Sequence, residues 1–243
     1  MVAFNKILWL DTETSGLDPK ISNILELAWK TEVDKSTSDM HYIKVQPILH
    51  CEDKLYGTSD IKSFCTSYNS KMHEKDPDQL VSFSFPEGSP LFVYAKSALT
   101  FNRTPPDVVD PADWLLGAGA KPAKQALLAL IDDLGDTKGR WILAGHNVSF
   151  DYTMLHWWSR RLLGQEYTLL MDKLNKYVFL DTLDLTRWMQ YSGRLSIEKG
   201  NLSKVAAALG MDVSQAHSAD ADVDFAQKVA KILLNMESTD SKG

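Results

Sequence analysis

The stretch that most constrains the fold is Ile7-Leu8-Trp9-Leu10-Asp11-Thr12-Glu13-Thr14-Ser15-Gly16-Leu17. An apolar run long enough for a buried strand ends on two carboxylates two residues apart. Residues i and i+2 of a strand share a face, so Asp11 and Glu13 project together from the strand end. Two anions held that close repel, and burying them unpaired is costly. Two arrangements answer this. A hard divalent cation can bridge the pair, since Mg²⁺ takes oxygen ligands and is often held by only one or two carboxylates. Alternatively, the strand ends in a solvated acidic turn.

Downstream, Ile24 to Lys30 is predicted as a second strand and His41 to Val45 as a third, ended by Pro47. The first spans residues 4 to 10. The high apolar content of the second suits a central strand covered on both faces, and short connections imply an antiparallel meander. Residues 48 to 119 are too long for a loop in a compact domain and are expected to be an insertion. Within it, Phe64 to Glu74 and Ala112 to Leu116 suit helical pieces and Leu91 to Tyr94 a short strand. Its role is not legible.

Regular patterning resumes at Pro122. Helices are predicted over Ala123–Leu134, Phe150–Leu163, Leu183–Tyr191, Leu202–Leu209 and Ala219–Asn235, with strands at Arg140–Ala144 and Tyr177–Leu180. Gly135, Gly164, Gly193 and Gly210 mark helix ends, and Asn201 is an expected N-cap. The tail from Met236 to Gly243 is polar and expected to fray. Three antiparallel strands followed by alternating helices and strands imply an α/β fold with a mixed sheet between helices. Catalytic groups in such folds gather at strand ends.

Two further segments carry chemistry. In Gly145-His146-Asn147-Val148-Ser149-Phe150-Asp151, Asp151 follows a strand and a polar turn; a carboxylate there also suits a helix N-terminus through the dipole. His146 suits a hydrogen-bonded turn. In His217-Ser218-Ala219-Asp220-Ala221-Asp222-Val223-Asp224, His217 and Asp222 would point about 140° apart on one helix. They converge more easily with His217 on the preceding loop and Asp222 on the first turn. Asp220 and Asp224 fit the dipole explanation.

Taken together, these segments resemble the DEDDh family of 3′→5′ exonucleases, which includes proofreading domains, oligoribonuclease and ribonuclease T on a ribonuclease-H-like fold. Asp11 to Leu17 is similar to its first motif, Gly145 to Asp151 to its second, and His217, Ala219 and Asp222 to its third. The ordered set is specific where each motif alone is short. The resemblance implies a five-stranded mixed sheet and two divalent ions, Mg²⁺ or Mn²⁺. Asp11, Glu13 and Asp222 would hold the first, and Asp11 and Asp151 the second. Two such ions can activate the attacking water and stabilise the leaving oxygen. His217 would be the general base. Leu17 matches the position that wedges against the terminal base, and the backbone near Thr14 would bind the 3′-hydroxyl. Asn147 would contact the strand or cap the following helix.

The implied substrate is a single strand with a free 3′ end, DNA in preference because Thr12 and Thr14 look like the DNA-directed branch. The alternatives are short RNA, or a non-catalytic interaction module on the same fold. A net charge of −6 argues against a protein that coats nucleic acid but not against one that grips a few nucleotides. Cys51 and Cys65 lack metal-finger spacing and suit reduced thiols in the cytoplasm. No secretory signal or membrane span is expected. A polymerase or a second copy as partner leaves no trace in these residues.

Overall fold

The computed structural model describes residues 6–14, 17–20, 22–46, 49–51, 54–56, 120–135, 140–197, 200–214, 216 and 218–240. The pieces expected at Phe64–Glu74, Leu91–Tyr94 and Ala112–Leu116, and His217 itself, lie outside the described residues.

The meander forms as expected. Strand β1 (Lys6–Thr14) pairs antiparallel with β2 (Ile24–Val33), which pairs antiparallel with β4 (His41–Gln46). The two-residue β3 (Ser36–Thr37) folds back on the end of β2. A hairpin of β5 (Leu49–Cys51) and β6 (Lys54–Tyr56) forms a second, two-stranded sheet. The main sheet gains β7 (Lys121–Pro122) beside β4, and then β8 (Trp141–Gly145) and β9 (Leu174–Asp181), both parallel to β1. Its order is β7-β4-β2-β1-β8-β9. The five long strands are the mixed sheet expected from the sequence; β3 and β7 are additions of two residues each.

Helix α1 (Ala123–Asp133) precedes β8, and α2 (Val148–Leu163) follows it. A 3₁₀ turn (Gly164–Tyr167) and the short α3 (Thr168–Met171) lead into β9. Then come α4 (Thr182–Tyr191), α5 (Leu202–Ala208) and α6 (Ala219–Asp240). Strand alternation sorts the core into two layers. Leu8 and Leu10 of β1 pack with Leu127, Leu130, Leu155 and Trp158 of α1 and α2. Trp9, between them, faces the other way onto Val223, Ala226 and Ala230 of α6. This parity decides which face each later residue of β1 serves.

Several boundaries move for local reasons. Helix α2 starts at Val148 rather than Phe150, because Asp181 accepts the Val148 N–H at 2.9 Å. Strand β9 starts at Leu174 rather than Tyr177. Leu174 is fully buried, but polar Asn175 and Lys176 interrupt the apolar run that would announce it. Helix α6 passes Asn235, where the sequence suggested fraying, because Met236 packs against the α6 core. Asn201 occupies the N-cap position of α5 without making a side-chain cap bond. Among the described residues no helix is long and apolar enough to cross a membrane.

Candidate active site

The parity of β1 carries Asp11 and Glu13 to the α6 face, alongside Trp9. There they meet Asp222. One carboxylate oxygen from each of Asp11, Glu13 and Asp222 lies within 4.8 Å of the others, and all three side chains are half-buried. Asp222 stands on the first turn of α6, where its N–H donates to the Ser218 carbonyl at 2.9 Å. Three anions at this separation are unfavourable unless a cation joins them. An all-oxygen donor set suits a hard divalent ion, so the residues present fit the metal that the motifs imply.

Asp151 does not join that group. It lies on α2, on the opposite face of the sheet, buried to 3% exposure. There it accepts from the Thr12 N–H at 3.0 Å and the Thr12 hydroxyl at 2.7 Å. Thr12 points to this face because its neighbours Asp11 and Glu13 point to the other. Burial raises the Asp151 carboxyl to about 7, against the opposing pull of the Thr12 bonds. The three carboxylates expected at the first ion are thus together, and Asp151, expected at the second, is bonded to the residue that follows Asp11.

The turn that carries the second motif is tightly specified. A side chain at Gly145 would lie 2.7 Å from the Leu10 carbonyl, so glycine lets β8 approach β1. Asn147 has φ of 64°, a left-handed conformation that asparagine tolerates better than most residues. It makes no side-chain cap bond to α2. Instead its side chain is exposed and lines a cleft with Asp181 and Trp188. His146 is tied down at both nitrogens. Nδ1 lies 2.9 Å from the Thr182 hydroxyl and Nε2 lies 2.7 Å from the Gly200 carbonyl. A carbonyl only accepts, so Nε2 carries the proton. Burial lowers the pKa of the ring. His146 is thus a structural strut, as its turn position suggested.

Leu17 is 84% exposed at the rim, whereas Thr14 is 7% exposed. Pairing of β1 with β2 shifts register between Glu13 and Thr14, so the backbone departs from the ladder where the first motif ends. Arg161 donates to the Lys20 carbonyl at 3.1 Å and to the Ser22 carbonyl, bracing the loop that presents Leu17. Arg160 and Lys20 each lie 5.4 Å from the ring of the half-buried Trp157. Its neighbour Trp158 is in the core.

Two acidic residues that matter to the site escaped the sequence. Glu26, 4% exposed, sits opposite Glu13 in the β1–β2 register and accepts the Ala219 N–H at 3.3 Å. It thereby receives the N-terminus of the helix that delivers Asp222. Tyr42 hydrogen-bonds to Glu26, and burial together with the Glu26 charge raises the phenol. The available signal was an acid inside an otherwise apolar central strand. Asp181 accepts three backbone N–H groups at 2.9 Å each, from Asn147, Val148 and Leu183. One carboxylate so caps two helices, α2 and α4. Its place between a strand and a helix was visible, but not its reach to α2.

Residues 120–230 match a family model described as an exonuclease, of the ribonuclease T type. Solved structures of exonuclease I share the fold. An Escherichia coli exonuclease I–single-stranded DNA complex, described as zinc-bound, superposes with a TM-score of 0.55 at 16% identity over 95% of this chain and 40% of that one. A product-bound exonuclease I gives 0.55 at 15% identity over 96% and 43%. The enzyme from Methylocaldum szegediense gives 0.53 at 16% over 96% and 40%. The chain thus spans about two fifths of the length of these structures. No curated protein matches it in sequence. The family model covers the second and third motifs, and the solved structures share the fold of the whole.

Proposed function

We propose that the chain is a metal-dependent 3′→5′ exonuclease that shortens single-stranded DNA and releases 5′-mononucleotides. The observation that carries this is the meeting of Asp11, Glu13 and Asp222, two elements far apart in sequence, within 4.8 Å at the end of the central strand. The exonuclease model over residues 120–230 and the single-stranded oligonucleotides in several structural neighbours support the substrate class.

In this scheme Asp11, Glu13 and Asp222 would hold one divalent ion, and Asp11 with Asp151 would hold a second. Bound there, the ions supply charge neutralisation at phosphate and a more acidic water. The chain's own residues do the rest. Leu17 packs against the terminal base, and the backbone near Thr14 receives the 3′-hydroxyl. Asn147 steadies the strand from the neighbouring turn. His217 removes the proton of the attacking water. His146 does not compete for that role, because both of its nitrogens are engaged in the fold. Attack on phosphorus breaks the bond to the 3′-oxygen of the penultimate nucleotide. That oxygen leaves as the new 3′-hydroxyl, and the phosphate departs on the 5′-oxygen of the released nucleotide.

The test is incubation with 5′-labelled single-stranded DNA, and with a matched RNA, in Mg²⁺, Mn²⁺ or EDTA. A ladder of progressive shortening is expected, faster on DNA and abolished by EDTA and by Asp11→Ala. Intact label under all metals, or shortening that survives Asp11→Ala, overturns the assignment.

A further inference from the structure

A cleft of about 550 Å³ opens at the carboxyl ends of β8 and β9, lined by Asn147, Asp181, Arg187 and Trp188 among others. Strands β1, β8 and β9 are consecutive and parallel, so their carboxyl ends lie side by side. At roughly 4.8 Å per strand, the end of β9 lies about 10 Å from the acidic end of β1. Asn147 belongs both to the second motif and to the cleft wall, so the cleft adjoins the second-motif turn.

Trp188 of the cleft wall and Tyr191, further along the same helix, face outward. Trp188 is 54% exposed and Tyr191 is 85% exposed. Their rings lie 6.0 Å apart, inclined by 30°. Three residues apart on α4, they occupy adjacent places on one helix face. Exposed indole and phenol rings presented together are not explained by the core, which α4 serves through Thr182, Thr186 and Met189. Nor is the cleft as acidic as its residue list suggests. The Asp181 carboxylate is occupied by three N–H groups, and Asp184 pairs with Arg187 at 3.3 Å.

We infer that Trp188 and Tyr191 form a stacking platform for bases upstream of the scissile phosphate, with the single strand running from the end of β1 across the cleft and onto α4. Aromatic faces accept any base, which suits an enzyme that must grip whatever sequence follows the terminal nucleotide. A modestly acidic protein gains from such contacts, since stacking does not rely on phosphate charge. The inference rests on the exonuclease reading for the direction of the strand, but not for the existence of the contact.

The experiment uses Trp188→Ala/Tyr191→Ala in the full chain. Both side chains are exposed, so folding is retained, and an unchanged thermal midpoint verifies this. Binding of a fluorescein-labelled twelve-nucleotide dT strand is followed by anisotropy in EDTA, where no hydrolysis intervenes. The dissociation constant should rise about ten-fold, and Trp188→Phe/Tyr191→Phe should recover most of the loss. In Mg²⁺, the ratio of kcat/KM on the twelve-mer to that on a trinucleotide should fall by a similar factor. A matched U strand should respond alike, because stacking does not read the sugar. Unchanged affinity for the twelve-mer, or equal losses on long and short substrates, overturns the platform. A laddering enzyme whose EDTA affinity ignores the substitutions leaves the exonuclease standing without it. Binding that depends on the pair in a protein that never hydrolyses does the reverse.

Discussion

Asp181→Ala isolates the contribution of one carboxylate to two helices. Wild-type Oδ1 accepts from the Asn147 and Leu183 N–H groups and Oδ2 from Val148, each at 2.9 Å. Losing the Leu183 bond removes the N-cap of α4, worth about 1 kcal/mol. Val148 is buried, so its abandoned N–H costs about 1 to 2 kcal/mol. The Asn147 N–H reaches solvent and water replaces its partner, leaving about 0.5 kcal/mol. The sum is about 3 kcal/mol. For a chain of this size it corresponds to a fall in Tm of about 6 to 12 °C. Asp181→Asn keeps one acceptor oxygen and should lose about half as much. Thermal and urea unfolding in EDTA measure both without interference from bound metal. An Asp181→Ala variant melting within about 2 °C of wild type would refute the reasoning. It would mean that water serves all three N–H groups as well as the carboxylate does.

Asp222→Asn relieves the repulsion among three half-buried carboxylates, so in EDTA its Tm should rise slightly, by the equivalent of about 1 kcal/mol. The same change should erase the Mg²⁺-induced rise in Tm; a Tm below wild type in EDTA would count against the repulsive cluster. Asp151 titrates near 7 when folded against about 3.8 unfolded. The folded state therefore holds a proton that the unfolded chain releases, and the stabilisation present below about pH 4 is lost as pH rises through about 7. Asp151→Asn should flatten that slope in metal-free protein, which urea titrations at stepped pH will register, and parallel slopes would discard it. His217→Ala should lose most hydrolytic activity while keeping the Mg²⁺-induced stabilisation, and near-wild-type turnover would remove His217 from the chemistry.

What could be read before the fold was known follows from period and parity. The apolar run before Asp11, the two-residue spacing to Glu13 and the short links to the next strands dictate a central strand with both acids on one face, and β1 has that form. The loop-then-helix placement expected of the third motif puts Asp222 on the first turn of α6. Interactions between segments distant in sequence were not legible. Asp181 lies 34 residues after Asn147, and Arg161 lies 139 residues after Ser22. No local pattern announces either contact. Leu174 opens β9 three residues early because burial of one side chain outweighs two polar neighbours that the alternation rule weighs equally.

Asp151 exposes the limit of reading a site as a list of residue types. Its motif says that a carboxylate follows β8, but not which side of the sheet receives α2. Once α2 packs on Leu8 and Leu10 while α6 packs on Trp9, strand alternation leaves Asp151 opposite Thr12 and Asp222 opposite Asp11 and Glu13. The two sets of acids share the end of β1. There the Thr12 N–H that Asp151 holds sits in the peptide bonded to Asp11. Asp151 therefore bears on the position of Asp11 through a single backbone unit. Glu26 acts from the other side in the same way, fixing the start of α6 through Ala219 three residues ahead of Asp222. The three clustered carboxylates are thus braced by two buried ones, each through main-chain N–H.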